Sequence, residues 1–170
     1  MDSRQIRAIC HADPELNCLF MGVYPCDKLP ENQTGFIICN QDKHTEPGSH
    51  WVCIFILPNK HAEFFNSYGG DPYPKSIADY LEGYSIVSSQ KQVQSNMSTT
   101  CGQHCIYFAF HRVRDIPFEQ IVESYSNDLL ANDQTVVEFV NETCGMHTEL
   151  LDEDLLYIQL CRALGVSKSV

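Results

Sequence analysis

The chain has 170 residues, of which 44% are hydrophobic and 19% charged, a composition typical of a soluble globular domain. Its net charge of −11 argues against a broad electrostatic surface for nucleic acid, which needs clustered lysine and arginine. No apolar run approaches the ~20 residues needed to cross a bilayer, and residues 1–7 lack the order of a secretory signal, so we expect one domain over residues 1–170 that is neither membrane-bound nor secreted.

The order of the predicted elements favours an α+β domain, because strands come first and helices later. Prolines at positions 14, 25 and 30 indicate an irregular stretch after the first helix. Residues 51–57 are continuously apolar, as in a strand covered on both faces, and residues 58–60 have the composition of a turn. The predicted strands are 35–39, 51–57, 62–65 and 84–94, and the predicted helices are 3–11, 102–113, 117–126, 134–142 and 149–164.

Nine cysteines cannot all pair with one another, because the number is odd. In a chain without an export signal we expect most of them to be reduced thiols. Cys10, Cys39, Cys53 and Cys161 have apolar neighbours and are predicted to be small core residues.

Cys101 differs from these cysteines, because it separates a small polar loop from the apolar run at 106–110. This pattern places it in the first turn of a buried helix. The N–H groups and the positive dipole end of a helix lower the pKa of a thiol, and the thiolate is the nucleophilic form. Cys101 is therefore the predicted nucleophile.

The predicted hairpin brings a histidine and an amide together. If a turn at residues 58–60 joins the two strands, residue 57 pairs with residue 61 and Asn66 lies opposite Val52, although a bulge or a tighter turn would shift this register. His50 is then a diagonal neighbour of Asn66, about 7–8 Å away and within side-chain reach. The amide oxygen would accept the Nδ1 proton of His50 and leave Nε2 facing Cys101. Together these residues predict a thiol hydrolase.

Each of these residues also has an ordinary structural interpretation. A histidine at a strand end is commonly a surface residue, an asparagine before Ser-Tyr-Gly-Gly suits a turn, and a cysteine before a buried helix is usually inert. Zinc is a further alternative, but structural zinc sites usually have two well-spaced ligand pairs and this chain has no matching second pair, so no metal is predicted. The potential zinc ligands are Cys101, His104, Cys105 and His111, with His44, His50 and Cys53 as a second group.

The order of these segments resembles adenain, the adenovirus-type maturation protease related to the SUMO-deconjugating Ulp proteases. The resemblance depends on His50-Trp51, on the Phe-Phe-Asn-Ser-Tyr-Gly segment at 64–69, and on Gln94 seven residues before Cys101-Gly102. It extends over about residues 10–112, where residues 18–24 are similar to the family's N-terminal segment.

The resemblance implies a papain-like cysteine protease fold, with helices packed on a central mixed sheet and the nucleophile at a helix N-terminus. By position, Cys101 matches the nucleophile, His50 the general base and Asn66 the third member, which is usually Glu or Asp. Gln94 matches the side chain that completes an oxyanion hole with the backbone N–H of Cys101, and Trp51 matches a neighbour that packs near the site. Each donor of such a hole stabilises the tetrahedral intermediate by about 3 kcal/mol.

The resemblance also implies a biological setting. The substrates would be precursor proteins of a viral capsid or core, cleaved during virion maturation in the host nucleus or cytoplasm and in the virion. No cofactor is expected. Adenovirus enzymes use a disulfide-linked viral peptide and DNA as activators, but residues 80–93 contain no cysteine and the chain is acidic, so the sequence supports neither activator.

Two other functions remain open. A Ulp-like isopeptidase would remove SUMO or ubiquitin with the same residues, although Ulp proteases usually have Asp at the position of Asn66 and a larger catalytic domain. A non-catalytic binding protein on the same fold would be favoured if the sulfur of Cys101 lay far from His50.

Overall fold

The computed structural model describes residues 1–145 together with Leu160 and Ala163. A five-stranded mixed sheet lies at its centre, with the strands side by side in chain order. The strands are β1 (Phe20–Pro25), β2 (Gly35–Asn40), β3 (Trp51–Leu57), β4 (His61–Phe65) and β5 (Ser85–Ser88), and the helices are α1 (Ser3–Ala12), α2 (Pro14–Leu19), α3 (Lys75–Tyr80), α4 (Cys101–Arg112), α5 (Phe118–Ser124) and α6 (Leu129–Cys144).

The register of the central hairpin is the one that the sequence predicts. β3 and β4 are antiparallel, with Leu57 opposite His61 and Cys53 opposite Phe65. β2 and β3 are also antiparallel, whereas the outer pairs, β1 with β2 and β4 with β5, are parallel. The confirmed register matters for the site, because it brings the residue before β3 and the residue after β4 to the same end of the hairpin.

Helices and loops cover both faces of the sheet. Alternate residues of β2 belong to different apolar clusters: Phe36 and Ile38 pack with the side of the sheet that faces α1, α4 and α6, and Ile37 and Cys39 pack with the side that faces α3. β3 is buried along its length except at its two ends. The continuous apolar sequence of β3 is therefore explained by burial on both faces, as predicted.

The stretch that the sequence predicts to be irregular contains a short helix and an edge strand. The Asp13 carboxylate accepts hydrogen bonds from the backbone N–H groups of Glu15 and Leu16, and Pro14 occupies the first position of α2, where a missing N–H costs nothing. β1 follows directly, with a register shift next to Gly22. A capping aspartate before a proline is a helix signal, and reading the proline as a loop residue was wrong.

Two predicted boundaries also differ from the structure. β5 ends at Ser88 instead of residue 94. α6 begins at Leu129 instead of residue 134, because the carboxylate of Asp128 caps it by accepting the N–H of Ala131 at 3.0 Å.

The other predicted elements and core residues need less correction. The remaining predicted elements agree with the structure to within about two residues, but α3 had not been predicted. Cys10, Cys39 and Cys53 are buried as predicted. The predicted helix at 149–164 and Cys161 lie outside the described residues. Among the described residues, none of the helices is long and apolar enough to span a membrane.

Candidate active site

Cys101 is the first residue of α4 and is only 8% exposed. The backbone N–H of Trp51, the residue after His50, faces its sulfur, as do the N–H groups of Gly102 and Cys101 at the start of the helix. The sulfur thus lies against the backbone that immediately follows the predicted base. Cys101 lines a surface cleft together with Trp51, Tyr68 and Gln94.

His50 and Asn66 meet at the end of the central hairpin. His50 directly precedes β3 and Asn66 directly follows β4, and His50 Nε2 lies 2.8 Å from Asn66 Oδ1. Both residues are buried, so the hydrogen bond is shielded from water. The 16-residue spacing across the hairpin therefore places the imidazole against the carboxamide, as the register requires.

The hydrogen bonds of Asn66 fix which atom of its amide faces the histidine. Oδ1 accepts the backbone N–H of Tyr68 at 3.0 Å, and Nδ2 donates to the carbonyl of Gly69 at 2.9 Å. Oδ1 is an acceptor, so the nitrogen of His50 that meets it carries the proton. His50 is therefore the Nε2–H tautomer, with an unprotonated Nδ1. The sequence-based prediction assigned the two nitrogens the other way round and was wrong.

Burial sets the resting protonation of the site. It raises the pKa of the Cys101 thiol above its ordinary value, and the N–H groups of Trp51 and Gly102 offset this only in part. Burial also lowers the pKa of His50, against the opposing effect of the Asn66 hydrogen bond. The N–H groups at the start of the helix do lower the thiol pKa, as expected, but burial outweighs them and the net shift is upward. Both shifts favour a neutral thiol and a neutral imidazole over a thiolate–imidazolium pair at neutral pH.

Tyr68 covers His50, a contact that the sequence analysis missed. The two rings are stacked, with centroids 4.6 Å apart and planes inclined by 26°. Tyr68 itself is partly exposed and lines the cleft, so it separates the imidazole from solvent while contacting the space where a ligand would lie. The signal was its position two residues after Asn66, in the turn that Asn66 closes.

Gln94 is fully buried beneath the cleft. Its Oε1 accepts the hydroxyl of Ser67 at 2.6 Å, and its Nε2 lies 3.2 Å from the carbonyl and 3.3 Å from the hydroxyl of Ser98. These contacts fix the amide between the β4 end of the sheet and the loop that leads to Cys101. They define the orientation in which Nε2 points toward that loop.

Trp51 lies beside the nucleophile as the first residue of β3. Its indole N–H donates to the carbonyl of Met1 at 3.1 Å, and its side chain packs against the apolar cluster that contains α4. Trp51 therefore joins the N-terminal segment to the site and contributes a backbone N–H to the sulfur.

The histidines considered as zinc ligands have other partners. His104 contacts Asp133 and Tyr125, His44 contacts Asp27, and His111 contacts the carbonyl of Tyr107. In the part of the chain that the structure describes, no group of three or more His, Cys, Asp or Glu residues is arranged to hold a metal ion.

Comparison with known proteins identifies a distant relative. No family model matches the chain. The chain is similar to a protein of Acanthamoeba polyphaga mimivirus named "Putative thiol protease R355", with 25% identity over 111 residues. The alignment covers 58% of this chain and 37% of that protein, so the chain spans little more than a third of the length of the curated relative it matches.

Proposed function

We propose that this chain is a cysteine protease in which Cys101 is the nucleophile, His50 the general base and Asn66 the residue that orients His50. The observation that carries the proposal is the buried contact between His50 Nε2 and Asn66 Oδ1, which leaves Nδ1 unprotonated next to the backbone that faces the Cys101 sulfur. The similarity to a viral protein named as a thiol protease supports the same chemistry.

The neutral resting pair determines how the reaction begins. As the sulfur of Cys101 attacks the scissile carbonyl, its proton moves to Nδ1 of His50 and an S–C bond forms. The Nε2–H of the new imidazolium keeps its hydrogen bond to Asn66. Nδ1–H then gives the proton to the leaving amine as the C–N bond breaks, which leaves a thioester on Cys101. Water, deprotonated by Nδ1, hydrolyses the thioester and restores the thiol.

The tetrahedral intermediate needs donors for its oxyanion. We assign this role to the backbone N–H of Cys101 and to Nε2 of Gln94, the amide that lies beneath the cleft. Both donors are neutral, and donors of this kind stabilise the oxyanion when they point at it. Nε2 of Gln94 lies 3.2 and 3.3 Å from two oxygens of Ser98 and would exchange one of these contacts for the oxyanion.

We further propose an adenain-like, papain-like fold and a role in cleaving viral precursor proteins during virion maturation. The support is the mixed five-stranded sheet, the nucleophile at the start of α4, and the viral origin of the relative. A Ulp-like isopeptidase would use the same residues, so substrate identity separates the two functions.

The first experiment compares the alkylation of each cysteine by iodoacetamide from pH 5 to 9, mapped by peptide mass, in wild type and His50→Ala. We expect Cys101 to react faster at pH 7 than the exposed Cys18, because His50 takes the thiol proton as the sulfur attacks and so offsets the raised thiol pKa. Its rate should keep rising toward pH 9, because burial raises the pKa of this thiol. His50→Ala should lower the Cys101 rate by about tenfold or more, since general bases contribute at least this much. His11→Ala, at an exposed histidine on α1, is the matched control.

Equal labelling of Cys101 and Cys18, or an unchanged rate in His50→Ala, would contradict the proposed nucleophile and favour a binding protein on this fold. If the nucleophile is supported, a glycine-containing capsid-precursor peptide and a linear ubiquitin-like fusion are compared as substrates. Cleavage of the fusion alone would replace the maturation role with the isopeptidase role.

A further inference from the structure

A buried aspartate from α6 reaches into the loop that carries the proposed oxyanion donors. Asp133 is completely buried, and its carboxylate accepts three hydrogen bonds from two neighbouring segments. Oδ1 accepts from the hydroxyl of Thr100 at 2.8 Å and from Nε2 of His104 at 2.9 Å, and Oδ2 accepts from the backbone N–H of Ser95 at 3.2 Å. Asp133 thereby contacts both ends of the loop between Gln94 and Cys101.

The backbone on both sides of Gln94 is held by consecutive residues of α6. Nδ2 of Asn132 donates to the carbonyl of Val93 at 3.0 Å, and Asp133 accepts the N–H of Ser95. Gln94 lies between these two contacts. The side-chain amide of Gln94 is in turn bound by Ser98, so its position depends on the same loop.

Asp133 also determines what Thr100 does at the start of α4. Thr100 is the residue before the helix, a position where threonine commonly accepts a backbone N–H of the first turn. Here Thr100 makes no capping hydrogen bond with its side chain, and its hydroxyl donates to Asp133. The N–H groups of the first turn of α4 are therefore not capped by the Thr100 side chain.

The network closes through hydroxyl groups. Ser98 Oγ lies 3.0 Å from Thr100 Oγ1 and 3.3 Å from Gln94 Nε2, so a chain of hydrogen bonds runs from Asp133 through Thr100 and Ser98 to Gln94. On the far side, the Tyr125 hydroxyl donates to Nδ1 of His104 at 3.2 Å, which fixes the Nε2–H tautomer that faces Asp133.

We propose that Asp133 is a positioning residue that holds Gln94 and the N–H of Cys101 in the geometry needed to bind the oxyanion. The proposal rests on the proposed protease function. It predicts that a change at Asp133 affects two reactions of Cys101 differently, because only one of them forms an oxyanion. Attack on an ester carbonyl creates an oxyanion, whereas displacement of iodide from iodoacetamide does not.

The experiment measures both reactions at Cys101 by peptide mass: acetylation by p-nitrophenyl acetate and alkylation by iodoacetamide. In acetylation the S–C bond forms, the ester C–O bond breaks and p-nitrophenolate leaves. In Asp133→Asn, an amide NH₂ group replaces one carboxylate oxygen and faces a hydrogen-bond donor of the protein. Part of the loop between Gln94 and Cys101 therefore loses its hydrogen bond to residue 133. We expect acetylation to fall by about tenfold to a hundredfold, and alkylation to change by less than about threefold.

The matched control is Asp128→Asn, the same change at the exposed cap of the same helix. Thr100→Val serves as a second variant if Asp133→Asn does not fold, because it keeps the shape of threonine and removes one hydroxyl. Thr135→Val, at an exposed threonine of α6, is its control, and Thr100→Ser should restore the wild-type acetylation rate.

Equal losses in both reactions, or an unchanged acetylation rate in folded Asp133→Asn or Thr100→Val, would overturn the positioning role. Failure of the protease proposal has a different signature: wild-type Cys101 would then react no faster than Cys18 with either reagent. The two conclusions are thus tested separately.

Discussion

Replacing Asn66 with aspartate changes the charge next to His50 while keeping most of its contacts. In the wild type, Oδ1 of Asn66 accepts hydrogen bonds from Nε2 of His50 and the N–H of Tyr68, and an aspartate oxygen would accept both as well. The new element is a negative charge at 2.8 Å from the imidazole. It stabilises the imidazolium, so the pKa of His50 rises and the thiolate–imidazolium pair gains weight over the neutral pair.

The size of the effect follows from ordinary charge interactions. An adjacent opposite charge shifts a pKa by about one to three units. His50 and Asn66 are both buried, so water screens the new charge only weakly. Each unit by which the pKa of His50 rises increases the fraction of Cys101 present as thiolate about tenfold, at a pH below the thiol pKa. The nucleophilicity of a thiolate falls as its pKa falls, by about threefold per unit. We therefore expect Asn66→Asp to increase the alkylation rate of Cys101 at pH 6 by about threefold to thirtyfold.

The same substitution should cost stability. Nδ2 of Asn66 donates to the Gly69 carbonyl, and an aspartate oxygen at that position would face another acceptor. Losing this bond inside a partly buried turn costs about 1–3 kcal/mol. The asparagine thus suits the turn better than an aspartate does, which gives a structural reason for the neutral third residue. Asn66→Ala removes the hydrogen bonds to His50 and to the Gly69 carbonyl without adding a charge, and it should modestly lower the alkylation rate of Cys101.

The assay is iodoacetamide labelling of Cys101 at pH 6, with the exposed Cys18 as an internal reference and urea unfolding of the same variants alongside. Faster labelling together with a lower free energy of unfolding is the expected result. If folded Asn66→Asp labels Cys101 no faster than wild type, or loses its labelling altogether, the assignment of His50 and Asn66 to this site is wrong.

Two further predictions concern residues around the site. Tyr68→Ala should raise the pKa of His50, since burial is the main cause of its lowered pKa and Tyr68 covers the ring. An NMR titration of His50 measures this pKa, and Tyr68→Phe should leave it unchanged. Equal pKa values of His50 in all three proteins would show that the stacking contributes nothing. Glu63→Ala should lower the free energy of unfolding by about 2–3 kcal/mol, because Arg112 loses the carboxylate to which it donates two hydrogen bonds, of 2.7 and 3.0 Å. Asp79→Ala, at an exposed ion pair with Lys75, should cost less than about 1 kcal/mol in the same urea titration. Equal costs would contradict this ranking.

The sequence predicts the hairpin well because local chemistry determines it. A turn at Pro58-Asn59-Lys60 between two runs rich in apolar residues allows few registers, and the structure has the one with Leu57 opposite His61. The contact between His50 and Asn66 follows from that register without knowledge of the rest of the fold. Its detail does not, because the tautomer depends on the backbone of Tyr68 and Gly69, which only the folded turn positions.

The Asp133 network shows the opposite situation. Asp133 lies 38 residues from Ser95 and 33 from Thr100, and nothing in its local sequence distinguishes it from an exposed helix residue. The predicted start of α6 at residue 134 even placed it outside the helix. Only the packing of α6 against α4 brings it into contact with the loop. Burial likewise decides the resting charge of Cys101, since the sequence shows the helix N-terminus but not how completely the thiol is enclosed.

The two halves of the proposed chemistry rest on different supports. The hairpin of β3 and β4 holds the proton-transfer residue His50, whereas α6 holds the loop with the oxyanion donors. Residues in contact or in one network couple, and those in separate networks contribute nearly additively. Asn66→Asp and Asp133→Asn should therefore combine with nearly additive effects on the free energy of activation for acetylation, while Gln94→Ala and Asp133→Asn should be clearly non-additive. Hydrogen bonds through Thr100 and Ser98 join the Asp133 carboxylate to the Gln94 amide, whereas the hairpin contacts Gln94 through Ser67 and not through the side chain of Asn66, so stronger coupling is expected for the second pair.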